Sequence, residues 1–504
     1  MISYLTREQM RMCDRAAAEN LPPFSVPLME RAASAAADYL LNHADLFPCK
    51  DVLVVCMGGN NGGDGIAMAL ILRRHGVPVR IAYAGPSCNG LPDPSSMTEE
   101  TKRYLALAKE AGIPLGTELS LAGATCVVDA LFGIGLDRAL PERVETWIRA
   151  VNASGIPVLS MDIPSGLCAD TGVVLTEAVR ATATCTFGQL KPGLYLYPGA
   201  GYCGAVEHFE IGIGPEPVAD DVKIVSLEDK DAKALLPARP VRSNRGTFGK
   251  LDLFCGSVNM CGAAVLAARA AFRSGVGLVR VVTPEENRVI IQTSVPEAVL
   301  STYTEKADLH LLPEDGRTAV AGCGLGQSDL SLAVLSAVLQ SAKGPLVLDA
   351  DALNLLAAHE SLWDCVPANS IITPHPGEAA RLLHCDAKKI CDSVLDSART
   401  LAERHGVVCL LKDAHTVIAS PDGRVCINRT GCTGLATAGS GDVLAGLVGS
   451  LLAQGLRPFD AAALGAFIHG KAGEAASSRF GVAGMAASDL PCKIARVISE
   501  LSFF

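Results

Sequence analysis

Aromatic side chains make up only 5% of the 504 residues, so the cores of this chain must rest on aliphatic residues; the hydrophobic fraction as a whole is 49%. Basic charge is also short. The chain has 43 lysines and arginines against 53 acids, a net charge of −10, which argues against a nucleic-acid-binding surface. An anionic ligand would have to be held locally, by backbone N–H groups and a few Lys or Arg. None of the 18 cysteines belongs to a C-x-x-C pair. They stand singly in apolar runs such as VLVVC and TCVVDA, the pattern of buried reduced thiols rather than disulfides or zinc ligands. No apolar stretch combines membrane length with freedom from charge and glycine turns. The opening MISYLTREQMRMCDRAA carries charges throughout and has no secretory h-region. A soluble cytoplasmic protein that binds neither nucleic acid nor membrane is expected.

A chain of this length should hold two to four domains. Helical patterns over Thr6–Asn20 and Pro27–Asn42 precede the apolar run DVLVVCMGG, which reads as a buried parallel strand. Strands and helices then alternate as far as Val206–Ile211, which predicts a doubly wound parallel sheet. The glycines, prolines and acids of Gly212–Asp221 break the alternation, and a second series begins at GTFGKLDLFCGS. Residues 1–222 and 223–504 are expected to form two α/β domains, unrelated because no repeat joins them.

In an open parallel sheet, ligands bind beyond the carboxyl ends of the strands. The polar residues expected there in the first half are Asn60, Asn61 and Asp64, then Asp129, then Asp162 and Ser165. Their oxygens are hard ligands, suited to K⁺, Na⁺ or Mg²⁺ rather than zinc. The glycines at 62, 63, 65, 133 and 135 would allow close backbone approach and supply N–H donors. Each Asp or Asn taken alone is better explained as shaping its own loop. NNGGDG is neither a Walker A, since GK[ST] is missing, nor a spaced G-x-G-x-x-G.

In the second half, NRTGCTGLATAGSGDVLAG (Asn428–Gly446) feeds an almost uncharged helix. A glycine-rich turn at a helix start presents free N–H groups to an anion. Asp442 at its mouth is either a helix cap or the base that takes a proton from a hydroxyl about to meet a phosphoryl group. Lys412, in LKDAHT, is a phosphate clamp or a solvated turn lysine, and His375 sits between two prolines in a rigid TPHPGE loop. GCGLG (Gly322–Gly326) is a weak glycine-loop signal.

The first half also carries, in order, GGNNGGDG, VVDALFGIGLDR, MDIPSGLCADTG and TFGQLKPGLYLYPG. The second carries GTFGK, GAAVLAARAAFRSGVGLV, LDADALNLL, TPHPGE, LLKDAHT and GSGDVLAG. The first set resembles the NAD(P)H-hydrate epimerase domain, a Rossmann-like doubly wound fold. The second is similar to the ADP-dependent NAD(P)H-hydrate dehydratases of the ribokinase-like superfamily. Together they resemble the fused bifunctional repair enzymes of bacteria.

The resemblance implies K⁺ at Asn61, Asp129 and Ser165. It places the hydrated nucleotide along Asn60, Asn61, Gly62, Gly63 and Asp64, along Gly133, Ile134, Gly135, Leu136, Asp137, Arg138 and Ala139, and against Asp162. In the second domain the hydrate would meet Ala263, Gly324, His375 and Asp442. ADP with Mg²⁺ would lie on Lys412, Asp413, Ala414, His415, Thr416 and Gly441. Asp162 and Asp442 are the expected catalytic carboxylates, hydrated NADH or NADPH and ADP the small-molecule partners, and a homo-oligomer the expected assembly. Two departures stand out: Cys432-Thr433 where the family often has Asn-Pro, and LMERAAS where a glycine is usual. A vitamin-precursor kinase, or a non-catalytic first domain, is the competing reading.

Overall fold

The computed structural model describes residues 1–20, 26–88, 90–306, 308 and 317–503. The chain divides into two compact units: Ser3–Val222, and Lys223–Phe504 together with Met1–Ile2. Each has its own buried apolar clusters. Among the described residues no helix is long and apolar enough to cross a membrane.

The first unit is built on seven parallel strands in the order Ala205–Phe209, Ala183–Phe187, Val158–Met161, Cys126–Ala130, Val52–Cys56, Val79–Tyr83, Leu115–Gly116. The four central strands from Ala183–Phe187 to Val52–Cys56 are buried at every position, as strands covered by helices on both faces must be. Helix Arg7–Glu19 starts at Thr6 through a capping box with Gln9. The chain leaves Val52–Cys56 toward one edge, then returns to its other side at Cys126–Ala130. That reversal opens a crevice beyond the carboxyl ends of those two strands.

NNGGDG is not a loop. Helix Asn60–Arg74 begins at its first residue, with Gly59 as N-cap. A Cβ at Gly62 would stand 1.8 Å from the Met57 carbonyl oxygen, so the glycine lets the helix settle against the chain that feeds it, and tertiary contact overrides poor helix propensity.

In the second unit the strands described after residue 223 run in the order Ile224–Ser226, Val425–Ile427, Val417–Ala419, Val408–Leu411, Ile371–Ile372, Leu346–Leu348, Thr318–Ala321, Lys250–Phe254, Leu278–Pro284, Val299–Tyr303. Val417–Ala419 is antiparallel to both neighbours, and the sheet's switch point lies between Lys250–Phe254 and Thr318–Ala321. Helix Ser440–Ala453 is buried almost all round and crosses helix Cys261–Arg273 so closely that a Cβ at Gly446 would stand 2.1 Å from the Ala267 carbonyl oxygen.

Several elements differ from expectation. The stretch PLVLDADAL, which reads from sequence as one strand, is a strand only over Leu346–Leu348; Ala350 turns with φ +49° and helix Asp351–Ala358 follows. TPHPGE is no loop but the start of helix Pro376–Leu382, with His375 as its N-cap and Pro376 in the first turn. Helix Arg288–Ser294 and edge strand Val299–Tyr303 had no legible signal, since one buried residue in each leaves little periodicity to read.

Candidate active sites

In the first unit, Asp129, next to last in strand Cys126–Ala130, is fully buried. Its Oδ1 accepts from the Ser165 hydroxyl at 2.6 Å and the Leu131 N–H at 3.3 Å, and its Oδ2 from the Ser160 hydroxyl at 2.8 Å and the Ser165 N–H at 2.9 Å. Burial raises its pKa against the pull of those bonds. Ser165 Oγ in turn accepts from the Phe132 N–H at 2.9 Å. One residue on, Gly133 faces Asn61, whose Cβ and Cγ lie 3.3 and 3.4 Å from where a Gly133 Cβ would stand. The structure therefore gathers Asn61, Asp129 and Ser165 around Phe132 and Gly133. Both amide atoms of the Asn61 side chain are buried with no hydrogen-bond partner among the described residues. A buried orphan of this kind is unfavourable unless a ligand completes it, and its oxygen fits a hard monovalent cation. The four acceptor positions of Asp129 are already filled, so Asp129 offers charge and Asn61 the open oxygen.

Asp162 holds a left-handed backbone, φ +66°, rare outside glycine. Its Oδ1 accepts from Lys191 Nζ at 2.6 Å; Lys191 also donates to Thr186 Oγ1 at 3.0 Å and the Phe187 carbonyl at 2.6 Å, and its side chain is 1% exposed. Oδ2 of Asp162 lies 3.4 Å from the place of a Gly133 Cβ, beside Asn61. Two more carboxyls feel the same group. Burial, then repulsion from Asp162 and Asp14, holds Asp64 well above the usual carboxylate range. Asp14 is pushed up to about 6 by burial and by Asp162, with Lys191 opposing. Lys191 and Asp14 were not singled out from sequence: the lysine is hidden in a stretch noticed only for its resemblance, and Asp14 in an ordinary Ala-rich helix.

The remaining residues divide. Asn60 is exposed at the open start of its helix, where Gly59 supplies no side-chain cap and leaves first-turn N–H groups for a ligand. Gly62, Gly63 and Gly65 approach the protein rather than a ligand, facing Met57, Met29 and Ala130. In the Gly133–Ala139 loop, Leu136 is buried in the core, Ile134 is half-buried, Gly135, Arg138 and Ala139 are exposed, and Asp137 pairs with Arg7 at 3.1 Å.

In the second unit, helix Ser440–Ala453 begins at Gly439, whose φ of +90° turns the chain into it without a side-chain cap. Asp442 therefore does not occupy the cap position. A Cβ on Gly441 would stand 3.5 Å from Lys412 Nζ and 3.9 Å from Asp349 Oδ2; one on Gly439, 3.9 Å from Asp442 Oδ2. The helix start, Lys412 and two carboxylates thus converge. Burial, then Asp349, pushes the Asp442 carboxyl up to about 6, with the Cys323 thiol and Lys412 opposing.

Lys412 is not a free turn lysine: it is half-buried and paired. Its ammonium donates to Asp349 Oδ1 at 2.8 Å and lies 3.8 Å from Glu378 Oε2. Burial alone would lower its pKa, but those carboxylates outweigh it and raise the value. Asp349 also accepts from Thr373 Oγ1 at 2.7 Å and from the Cys323 thiol at 3.7 Å. One oxygen each of Asp349 and Asp442 and the sulfur of Cys323 lie within 4.8 Å of one another. Asp349, Glu378, Thr373 and Cys323 are not among the expected site residues, although all four stand in stretches quoted above.

His375 is fixed by its capping role: Nδ1 accepts from the N–H groups of Gly377 and Glu378 at 3.0 and 3.3 Å, leaving the ring half-exposed. Gly324, with φ +61°, stands against Ala263, 2.8 Å from its Cβ to a Cβ placed on the glycine. Asp413, Ala414, His415 and Thr416 form the turn between antiparallel strands Val408–Leu411 and Val417–Ala419, where Asp413 Oδ1 accepts from the Ala414 N–H at 2.8 Å.

A doubly wound unit with a polar crevice at its switch point, followed by an α/β unit whose glycine-capped helix carries a raised-pKa carboxylate, defines a two-domain enzyme of nucleotide chemistry. Residues 251–496 match the family model described as NAD(P)H-hydrate dehydratase, and residues 25–193 that of the YjeF-related protein N-terminus. The bifunctional NAD(P)H-hydrate repair enzyme Nnr of Escherichia coli (strain K12) is 35% identical over 98% of this chain and 93% of its own. That of Moorella thermoacetica is 35% identical over 96% and 94%. Among solved structures, the ADP/ATP-dependent NAD(P)H-hydrate dehydratase of Bacillus subtilis, co-crystallized with ATP/Mg²⁺, is 30% identical with a TM-score of 0.50, covering 55% of this chain and 98% of that one. The chain belongs to the family of bifunctional NAD(P)H-hydrate repair enzymes.

Proposed function

We propose that the two centres divide the repair between them: the Asp162 crevice epimerises R- and S-hydrated NADH or NADPH, and the Asp442 centre dehydrates the S form at the expense of ADP. In the first, the ring carbon bearing the hydroxyl inverts when the carbinol opens and recloses. Asp162, oriented by Lys191, takes the hydroxyl proton and returns it on closure. K⁺ would be held by Asn61 Oδ1 with Ser165 and the charge of Asp129, and when bound supplies fixed positive charge at the crevice. The unsatisfied carboxamide of Asn61 supports that assignment.

In the second centre, Asp442 deprotonates the hydroxyl of the S-hydrate, and the N–H groups at Gly439–Gly441 with Lys412 stabilise the phosphoryl group as it moves from ADP to that oxygen. Phosphate then leaves far more readily than hydroxide would, giving NAD(P)H, AMP and phosphate. Asp349 is the carboxylate that would hold Mg²⁺, which when bound would offset phosphate charge, and Asp442 stays free to act as the base. The observation that carries this reading is the meeting of Lys412, Asp349 and Asp442 at the open start of one helix. The experiment is product analysis with pure S-hydrate, ADP and Mg²⁺. AMP, phosphate and NADH should appear in equal amounts; a product that keeps the phosphate would make the second unit a kinase instead.

A further inference from the structure

The nucleotide repaired by this family carries a diphosphate, so it brings negative charge to a crevice that already holds Asp14, Asp64, Asp129 and Asp162. Among the described residues the one buried basic side chain there, Lys191, is taken by Asp162 at 2.6 Å, and the proposed K⁺ is offset by the charge of Asp129. A dianion needs a further counter-charge. Helix Arg7–Glu19 stands where one could come from. The N–H of Arg7 donates to Asp170 Oδ1 at 2.6 Å and its guanidinium pairs with Asp137 at 3.1 Å, fastening the helix to two loops of the crevice. One turn on, Arg11 Nη2 lies 3.7 Å from where a Gly135 Cβ would stand. A further turn on, Asp14 is near enough to Asp162 and Lys191 to feel their charges. Spacings of four and three residues put Arg7, Arg11 and Asp14 on one helix face. Arg7 is already paired. The Arg11 guanidinium is exposed and makes no hydrogen bond or ion pair among the described residues.

Resting on the assignment of Gly133–Ala139 to the nucleotide, we infer that Arg11 binds the diphosphate of the hydrated dinucleotide and makes helix Arg7–Glu19 a wall of the epimerase site. Its bidentate fork suits phosphate oxygens. The contact lies remote from the reacting carbon, so it serves ground state and transition state alike and should act on KM rather than kcat.

The test compares Arg11→Ala and Arg11→Lys with wild type on R-hydrated NADH, using turnover of pure S-hydrate by the same chain as internal standard. Arg11→Ala should raise KM for the R form about tenfold, the worth of one charge-assisted hydrogen bond, with kcat held within about twofold. ADP-ribose, which keeps the diphosphate but lacks nicotinamide, should lose inhibition by the same factor, and lysine should restore part of both. Alanine at an exposed helix position favours the helix, so folding is preserved. Unchanged KM and unchanged ADP-ribose inhibition in Arg11→Ala would overturn the inference while leaving the epimerase assignment standing. A wild-type protein that fails to consume the R form would sink the assignment itself.

Discussion

Asp442 holds its proton to about pH 6 because it is buried and faces Asp349. As a base it must be ionised, so kcat/KM for S-hydrate should fall as pH drops through about 6. The same shift has a stability consequence of known sign. A carboxyl whose folded pKa lies above its unfolded value stabilises the fold at low pH, and that contribution is lost as pH rises through about 6. Asp442→Asn keeps the shape and removes the charge. It should melt above wild type near pH 8 and level with it near pH 4, while dehydration falls by about 10²-fold or more. Melting curves at the two pH values, beside rates on S-hydrate, check both halves; a flat rate profile from pH 5 to 8 would remove Asp442 as base. Asp129 gives the matching prediction for the first unit. Asp129→Asn keeps the carboxyl's volume without its charge, so half-activation of R-hydrate consumption should need about 10–100-fold more K⁺. A K⁺ titration that superimposes on wild type would take the cation out of the account.

Helix Ser440–Ala453 shows how an element can be legible and its centre not. Four glycines ahead of an uncharged run announce a helix with an open start, and that start is where the structure puts it. Asp442's two possible roles could not be separated from sequence, because the difference lies in which residue takes the cap, a matter of backbone angles. Lys412's partners were hidden for another reason: Asp349 follows one strand and Thr373 and Glu378 another, and only the sheet order brings them to Lys412. In the first unit the strand-end rule found Asn61, Asp129, Asp162 and Ser165 at once. Lys191 stands four residues beyond strand Ala183–Phe187, as Ser165 does beyond Val158–Met161, but it is no oxygen ligand of the kind sought; Asp14 lies in a helix that follows no strand of that sheet. The glycine at 441 offers a test at this scale. A Cβ there meets nothing closer than 3.5 Å, so Gly441→Ala should fold, gaining about 1 kcal/mol of helix propensity. It fills the space between the helix start and Lys412, and so should raise KM for ADP at least about tenfold. Calorimetry with ADP separates the two effects; undiminished ADP binding would move the phosphoryl site elsewhere.

Two separate cores carry the two proposed catalytic groups, and among the described residues the side chains named for each centre come from its own unit. Hydrate released from one centre should therefore serve the other, whether or not both belong to the same molecule. Mixing Asp162→Asn and Asp442→Asn proteins with an R,S mixture of hydrated NADH, ADP, Mg²⁺ and K⁺, and following NADH absorbance, tests whether the two activities are divided in this way. Alone, Asp162→Asn should convert the S fraction and then slow to the spontaneous rate, and Asp442→Asn should form almost no NADH while still equilibrating R with S. Mixed, the two should bring the substrate to full conversion at a rate near that of wild type. Near wild-type conversion by Asp442→Asn alone, or a mixture no better than Asp162→Asn by itself, would contradict the account.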